Sequence, residues 1–137
     1  MLRATALALC LASSAQGQDL SPEAFQDLTE GRVFATYYAD GTLQGHEVFL
    51  RDRKVIWQAT GSICEDGIWQ VQDGYICYLY GGVDPGYCLT YRAEGDVIVG
   101  NSDTGETFIL QEASKDDMTC PVEEPLLSRA DIGVTLR

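Results

Sequence analysis

The chain has 137 residues, 45% of them hydrophobic, and a formal net charge of −12 at pH 7. This length is enough for one domain with a buried core. The strong negative charge argues against nucleic acids and anionic membranes as partners, since both are themselves negative. It suits either the solubility of an exported protein or attraction to a basic partner.

The first 17 residues have the pattern of a secretory signal peptide. Arg3 supplies the positive charge, and an apolar run extends from Ala4 to Ala12. This run is too short to cross a bilayer, so we expect cleavage after Gly17 or Ala15 and no membrane anchor. Cys10 would leave with the signal, and the mature protein would be periplasmic or secreted.

A short helix is predicted directly after the signal. Ser21 can cap it, Pro22 suits its first position and Gly31 can end it. Phe25 and Leu28 give the helix an apolar stripe, and a helix this short is not stable alone. We therefore expect it to pack on the rest of the domain.

From Val33 onward the apolar residues alternate with a period of two, which is typical of β-strands. Turn signals separate the runs, so the sequence predicts an antiparallel meander of about eight strands. Twisted sheets of this size tend to close. We expect a mainly β protein that forms a small barrel or a strongly curved sheet, with the helix plugging one opening. The predicted strands are residues 33–38, 43–50, 55–59, 67–72, 75–80, 87–93, 97–99 and 107–110.

The stretch from residue 64 to residue 92 predicts a pairing register. Asp73-Gly74 is a two-residue turn signal that places Trp69 opposite Tyr78 on an apolar face. The next hairpin, with residues 81–84 as its loop and Tyr80 opposite Pro85, places Cys77 opposite Cys88. Earlier in the chain, Asp52-Arg53 as a two-residue turn would place Val48 opposite Trp57.

The last part of the chain has a different pattern. Pro121 and Pro125 prevent a continuous strand, whereas Ile132-Gly133-Val134 is apolar enough to dock. We therefore expect three segments. They are a signal peptide at 1–17, a helix plus β-meander domain at 18–111, and a C-terminal tail at 112–137 docked on the same domain.

Four cysteines remain after the signal, and an even count in an exported chain indicates disulfides. Three complete pairings are possible. The hairpin register favours Cys77 with Cys88, which leaves Cys64 with Cys120. No pair has C-x-x-C spacing, so a thioredoxin-type redox site and a zinc ribbon are both poorly supported.

Residues for catalysis or for a cofactor are sparse. His46 is the single histidine, and its neighbour Glu47 would face the other side of a strand. The sequence has no phosphate-binding loop, dinucleotide fingerprint, nucleophile elbow or H-E-x-x-H motif. We therefore expect a protein that is not an enzyme, with no metal and no cofactor.

Aromatic residues are the candidate binding residues. They could line a packed core, a pocket for a small ligand or a surface for another protein, and each tyrosine hydroxyl needs a polar partner if it is buried. The candidates are Tyr37, Trp57, Trp69, Tyr78, Tyr80, Tyr87 and Tyr91.

Three short motifs carry a resemblance to known proteins: Val55-Ile56-Trp57, then Cys64-x-x-Gly67-x-Trp69, then Ile76-Cys77-Tyr78 followed by Cys88. With Asp131-Ile132-Gly133-Val134 after Cys120, this arrangement resembles families of small exported alphaproteobacterial proteins of unknown function. Those proteins combine a leader, a short helix and a Trp/Cys-rich β-meander. The resemblance implies an exported location and the fold type, and it implies no catalytic residues.

Three functions fit these observations. The first is a non-enzymatic binding or interaction module, in one version an inhibitor of a basic exported enzyme such as lysozyme, with an unknown protein partner. The alternative is a lipocalin-like carrier of a small apolar ligand, which requires a tyrosine-lined cavity of about 300 Å³ or more. The third is a hydrolase, which requires His46 or a pair of carboxylates to converge with another polar group in a cleft.

Overall fold

The computed structural model describes residues 17–81, 86–123 and 126. This part of the chain contains one α-helix, nine strands and two short 3₁₀ turns. No helix in these ranges is long and apolar enough to span a membrane. The helix α1 is Pro22–Thr29, and the strands are β1 Gln18–Asp19, β2 Arg32–Tyr38, β3 Leu43–Phe49, β4 Lys54–Ala59, β5 Cys64–Gln72, β6 Tyr75–Tyr80, β7 Tyr87–Glu94, β8 Val97–Ser102 and β9 Thr107–Ala113.

Strands β2 to β9 form a closed antiparallel barrel. Each strand pairs with the next along the chain, and β2 pairs with β9 to close the ring. The prediction of a mainly β meander that closes on itself is confirmed. The short strand β1, which pairs with β7, was not predicted because two residues are too few to show a periodicity.

Helix α1 covers one end of the barrel, as predicted. The Ser21 hydroxyl accepts a hydrogen bond of 3.1 Å from the Ala24 N–H, which caps the first turn. Phe25 points into the barrel, where it is fully buried and stacks on Tyr91 with ring centroids 4.2 Å apart. Burial of this ring stabilises the closed end by about 2–3 kcal/mol.

The register predicted for β5, β6 and β7 is confirmed. Trp69 pairs with Tyr78 across β5 and β6. Cys77 pairs with Cys88 across β6 and β7. Residues 82–85, and with them the predicted pairing of Tyr80 with Pro85, lie outside the residues that the structure describes.

The register predicted for β3 and β4 is wrong by one residue. Glu47, not Val48, lies opposite Trp57. The connection is a three-residue 3₁₀ turn, Arg51–Arg53, in which Asp52 and Arg53 have positive φ angles of 57° and 60°. The sequence pattern predicts a two-residue turn, and the extra residue moves Glu47 and Trp57 to the same face of the sheet.

The barrel has two apolar clusters, one inside and one on its outer surface. The inner cluster surrounds Phe25 and includes Trp69 and Tyr91. The outer cluster forms where Met118 and its neighbours cover the outward side chains of β2, β3 and β4. Of the predicted C-terminal tail, residues 124–125 and 127–137 lie outside the described part of the chain.

Two disulfides link the described cysteines, in the arrangement that the hairpin register favoured. Cys77 and Cys88 join β6 to β7, with Cα atoms 4.0 Å apart. Cys64 and Cys120 join the start of β5 to the C-terminal segment, with Cα atoms 5.7 Å apart. The second disulfide therefore fixes the segment that covers the outer cluster.

Candidate functional site

A cavity of about 240 Å³ lies inside the barrel, towards the end that helix α1 does not cover. Successive turns of an antiparallel barrel alternate between its two ends, so the turns at 39–42, 60–63 and 103–106 surround this open end. Exposed residues such as Tyr87 and Glu65 belong to the cavity wall, so the cavity reaches the surface. Six aromatic side chains are part of the wall: Trp57, Tyr78, Tyr80, Tyr87, Tyr91 and Phe108.

Glu47 is the buried carboxyl group of this cavity. Its side chain is only 6% exposed, and its Oε1 atom accepts a hydrogen bond of 2.5 Å from the Tyr80 hydroxyl. Burial raises the pKa of Glu47 to about 8, although the hydrogen bond from Tyr80 acts to lower it. The carboxyl group is therefore mostly protonated at neutral pH when the cavity holds no compensating charge.

The tyrosine hydroxyls add a second polar group to the same wall. Tyr78 and Tyr91 share a hydrogen bond of 2.7 Å between their hydroxyl oxygens. Burial raises the pKa of both hydroxyls, and it also raises the pKa of Tyr80, whose ring stacks on that of Tyr78. All three tyrosines therefore stay protonated and can act as hydrogen-bond donors at neutral pH.

Three glycines make room for aromatic rings of the cavity. A Cβ atom at Gly67 would lie 2.6 Å from Cδ1 of Tyr80, directly across the strand pair. A Cβ atom at Gly100 would lie 2.7 Å from Cε1 of Tyr91. At Gly45, it would lie 2.8 Å from the Trp57 ring. Each ring therefore lies against glycine backbone, at a place where any side chain would collide with it.

The described turns at the open end of the barrel are acidic. The turns at 39–42, 60–63 and 103–106, and the first three residues of β5 at 64–66, contain no lysine or arginine. The other end is mixed in charge, with basic residues in the 51–54 segment. The mouth of the cavity therefore has a negative potential that attracts cations. The exposed acidic residues near the mouth are Asp40, Glu65, Asp66, Asp103 and Glu106.

Five of the seven candidate aromatic residues line the cavity: Trp57, Tyr78, Tyr80, Tyr87 and Tyr91. Trp69 instead packs beneath it against Phe25, and the Arg53 guanidinium lies 4.4 Å from its ring centroid. Tyr37 lies on the outer face, opposite Ile109, because the inward positions of β2 are those of Phe34 and Thr36.

Sequence reasoning missed Glu47 as a site residue. The strand period was correct, since His46 and Glu47 do face opposite sides. His46 is half-buried on the outer face, opposite Gln58, and it does not line the cavity. The signal that could have found Glu47 is its position two residues before the buried Phe49 on the same strand face.

No family model, no curated protein and no solved structure matches this chain. Within residues 17–81, 86–123 and 126, no cluster of three His, Cys, Asp or Glu side chains could hold a metal ion. The interpretation of the site therefore depends on its own geometry.

Proposed function

We propose that the protein binds a small molecule inside its barrel and acts as a carrier or sequestering protein. The cavity is the observation that supports this proposal. It is lined mainly by aromatic and aliphatic residues, it holds a few polar groups, and it opens at one end, as small-molecule sites usually do. A barrel with a solid interior would have argued against a carrier.

The size of the cavity limits the ligand. Its volume of about 240 Å³ is smaller than the roughly 300 Å³ expected for a carrier. A 150 Å³ apolar cavity holds one benzene molecule, so this one suits a ligand of about ten non-hydrogen atoms. A long-chain lipid is too large, whereas a single substituted ring fits.

The two disulfides support an exported location for this binding protein, because such bonds persist in oxidising compartments. The predicted signal peptide agrees with the same location. We therefore propose that the protein meets its ligand in the periplasm or outside the cell.

Native mass spectrometry of the protein purified from the periplasm tests this function. We expect a mass excess of roughly 100–200 Da, in keeping with about ten non-hydrogen atoms, that disappears on denaturation. A bare mass, together with no binding when the protein is screened against single-ring compounds, would contradict the proposal.

A matched pair of variants assigns a bound molecule to the barrel interior. Leu110→Phe adds volume inside the cavity, whereas Ile109→Phe adds it on the outer face of the same strand. We expect the first variant to lose the extra mass and the second to keep it. Far-UV circular dichroism of both variants checks that the barrel is intact.

A second candidate function is binding of a basic protein, such as an exported enzyme that this protein inhibits. The acidic mouth favours it, as do three exposed apolar side chains near the same end: Tyr38, Ile63 and Tyr87. Lysozyme activity measured with the wild type and with an Asp40→Lys/Asp103→Lys variant tests it. Inhibition of lysozyme by the wild type that the charge reversal abolishes would support this function. Equal lysozyme activity in the presence of the two proteins would contradict it.

A further inference from the structure

The buried position of Glu47 lowers the stability of the fold, which indicates that this residue has a function. A carboxyl group that is only 6% exposed among aromatic rings loses most of its hydration, and Leu or Met would fill the same space without that cost. The Tyr80 hydroxyl compensates for part of the loss. The Glu47 side chain also lines the cavity, so a ligand can reach it.

The surrounding wall favours a positive ligand over a negative or neutral one. None of the described residues that line the cavity is a lysine, an arginine or a histidine. Six aromatic side chains line the space, and aromatic faces attract ammonium groups. The acidic mouth and the net charge of −12 raise the local concentration of cations and repel anions.

We propose that the ligand of this barrel is a small organic amine with an apolar or aromatic body, bound as an ammonium ion whose nitrogen pairs with the Glu47 carboxylate. This inference rests on the proposed function, since it names the chemical class of the ligand in the same cavity. On binding, Glu47 gives its proton to solvent, and the ammonium N–H groups donate hydrogen bonds to the carboxylate oxygens. The apolar body of the amine packs against the aromatic wall.

The proton released on binding gives the inference a second readout. The titratable groups that face Glu47 are Tyr78 and Tyr80 on β6, Tyr91 on β7 and Glu65 on β5. The three tyrosines stay protonated, and burial raises the pKa of Glu47 to about 8, so the charge of Glu47 changes near neutral pH. Affinity for an amine should therefore rise with pH until Glu47 is ionised without a ligand.

Three probes of similar shape and different charge test the proposal: phenethylamine, 2-phenylethanol and phenylacetate. Isothermal titration calorimetry with the whole protein at about pH 7.5 compares their affinities. We expect phenethylamine to bind at least about tenfold more tightly than either of the others. We also expect its affinity to rise between about pH 6 and pH 8, by up to about tenfold per pH unit.

Two variants that each remove one carboxylate isolate Glu47. Glu47→Gln keeps the shape and can still accept the Tyr80 hydrogen bond, so it should fold. It should lose the preference for the amine and the pH dependence, and it should bind 2-phenylethanol about as well as the wild type. Asp96→Asn, in an exposed turn at the opposite end of the barrel, should keep both properties.

The outcomes separate this inference from the proposed function. Equal binding of the amine and the alcohol, or no effect of Glu47→Gln on the preference, would overturn the amine inference and leave a carrier of neutral molecules. Tighter binding of phenylacetate would overturn it as well. If none of the three probes binds to the wild type, the amine inference fails, and the proposed function fails with it when the native mass also shows no retained molecule.

Discussion

Glu47 places an ionisable carboxyl group at a buried position in the barrel, and the stability of the fold should depend on its protonation. Its raised pKa of about 8 means that the folded protein holds a proton there at pH values where the unfolded chain has released it. The folded state therefore binds more protons than the unfolded state between about pH 4.5 and pH 8. The contribution of Glu47 to stability therefore falls as pH rises through that range.

The first prediction follows from this proton. The free energy of unfolding should fall by up to about 1.4 kcal/mol per pH unit between about pH 4.5 and pH 8 because of Glu47 alone, and this contribution should be constant above pH 8. Glu47→Gln should remove that part of the slope. Urea denaturation of both proteins at several pH values measures it. Asp96→Asn serves as the control, and a Glu47→Gln slope equal to that of the wild type would show that Glu47 titrates normally.

The second prediction concerns the partner of Glu47. The Tyr80 hydroxyl donates to the carboxyl group and acts to lower its pKa. Tyr80→Phe keeps the ring and removes the donor, so the pKa of Glu47 should rise further. NMR titration of the Glu47 side-chain carboxyl carbon measures it. Tyr87→Phe removes a hydroxyl from the more exposed part of the wall, and it should leave the pKa of Glu47 unchanged.

At the scale of strands and turns, the register was predictable only where the turn had a recognisable type. Asp73-Gly74 is a two-residue turn signal, and it correctly placed Trp69 opposite Tyr78. The Arg51–Arg53 turn has three residues and uses positive φ at Asp52 and Arg53, which the residue types do not reveal. The third residue of this turn shifts the register by one position. For this reason the sequence pattern does not place Glu47 in the cavity with Trp57.

The aromatic part of the site was predictable for a different reason. Alternation along β6 and β7 places Tyr78, Tyr80, Tyr87 and Tyr91 on one face, and closure of the barrel turns that face inward. Whether the interior would be solid or hollow depends on small residues across the sheet. A glycine such as Gly67 gives no periodic signal, although it decides where the ring of Tyr80 lies.

The third prediction tests this role of glycine. Gly67→Ala places a Cβ atom 2.6 Å from Tyr80 and 2.7 Å from the Leu79 carbonyl oxygen, and the backbone oxygen cannot easily move away. We expect a loss of about 1–3 kcal/mol in the free energy of unfolding and a displaced Tyr80 ring. Gly86→Ala, where a Cβ atom meets nothing within 4 Å, is the control. Equal stability of the two variants in urea denaturation would contradict this account.

At the scale of the whole molecule, the barrel needs its C-terminal segment because one outer face is apolar. Val33, Val48 and Ile56 point outward from β2, β3 and β4 and would be exposed without Met118. The segment is held by the Cys64–Cys120 disulfide and by Gln58, whose amide Oε1 accepts from the Thr119 N–H at 3.0 Å. Covering the barrel from outside leaves its interior free for a ligand.

The last prediction compares the two disulfides by the regions that they hold. Cys64 and Cys120 are 56 positions apart, so their removal should cost about 4 kcal/mol in the chain-entropy description. A Cys64→Ser/Cys120→Ser variant should also release the segment, and the Thr119 amide should exchange its hydrogen much faster. Hydrogen exchange measured by NMR gives both the loss of global stability and the exchange rate of the Thr119 amide. The slowest amides of β8 report the global stability.

The other disulfide supplies the control. Cys77 and Cys88 are 11 positions apart, so a Cys77→Ser/Cys88→Ser variant should lose about 3 kcal/mol. Its effect should fall on β6 and β7, which carry the four tyrosines that line the cavity, and the Thr119 amide should stay protected relative to the global opening. If Thr119 exchanges equally fast in both variants, the segment and the barrel open as one unit. Side-chain packing around Met118, more than the covalent link, would then hold the segment in place.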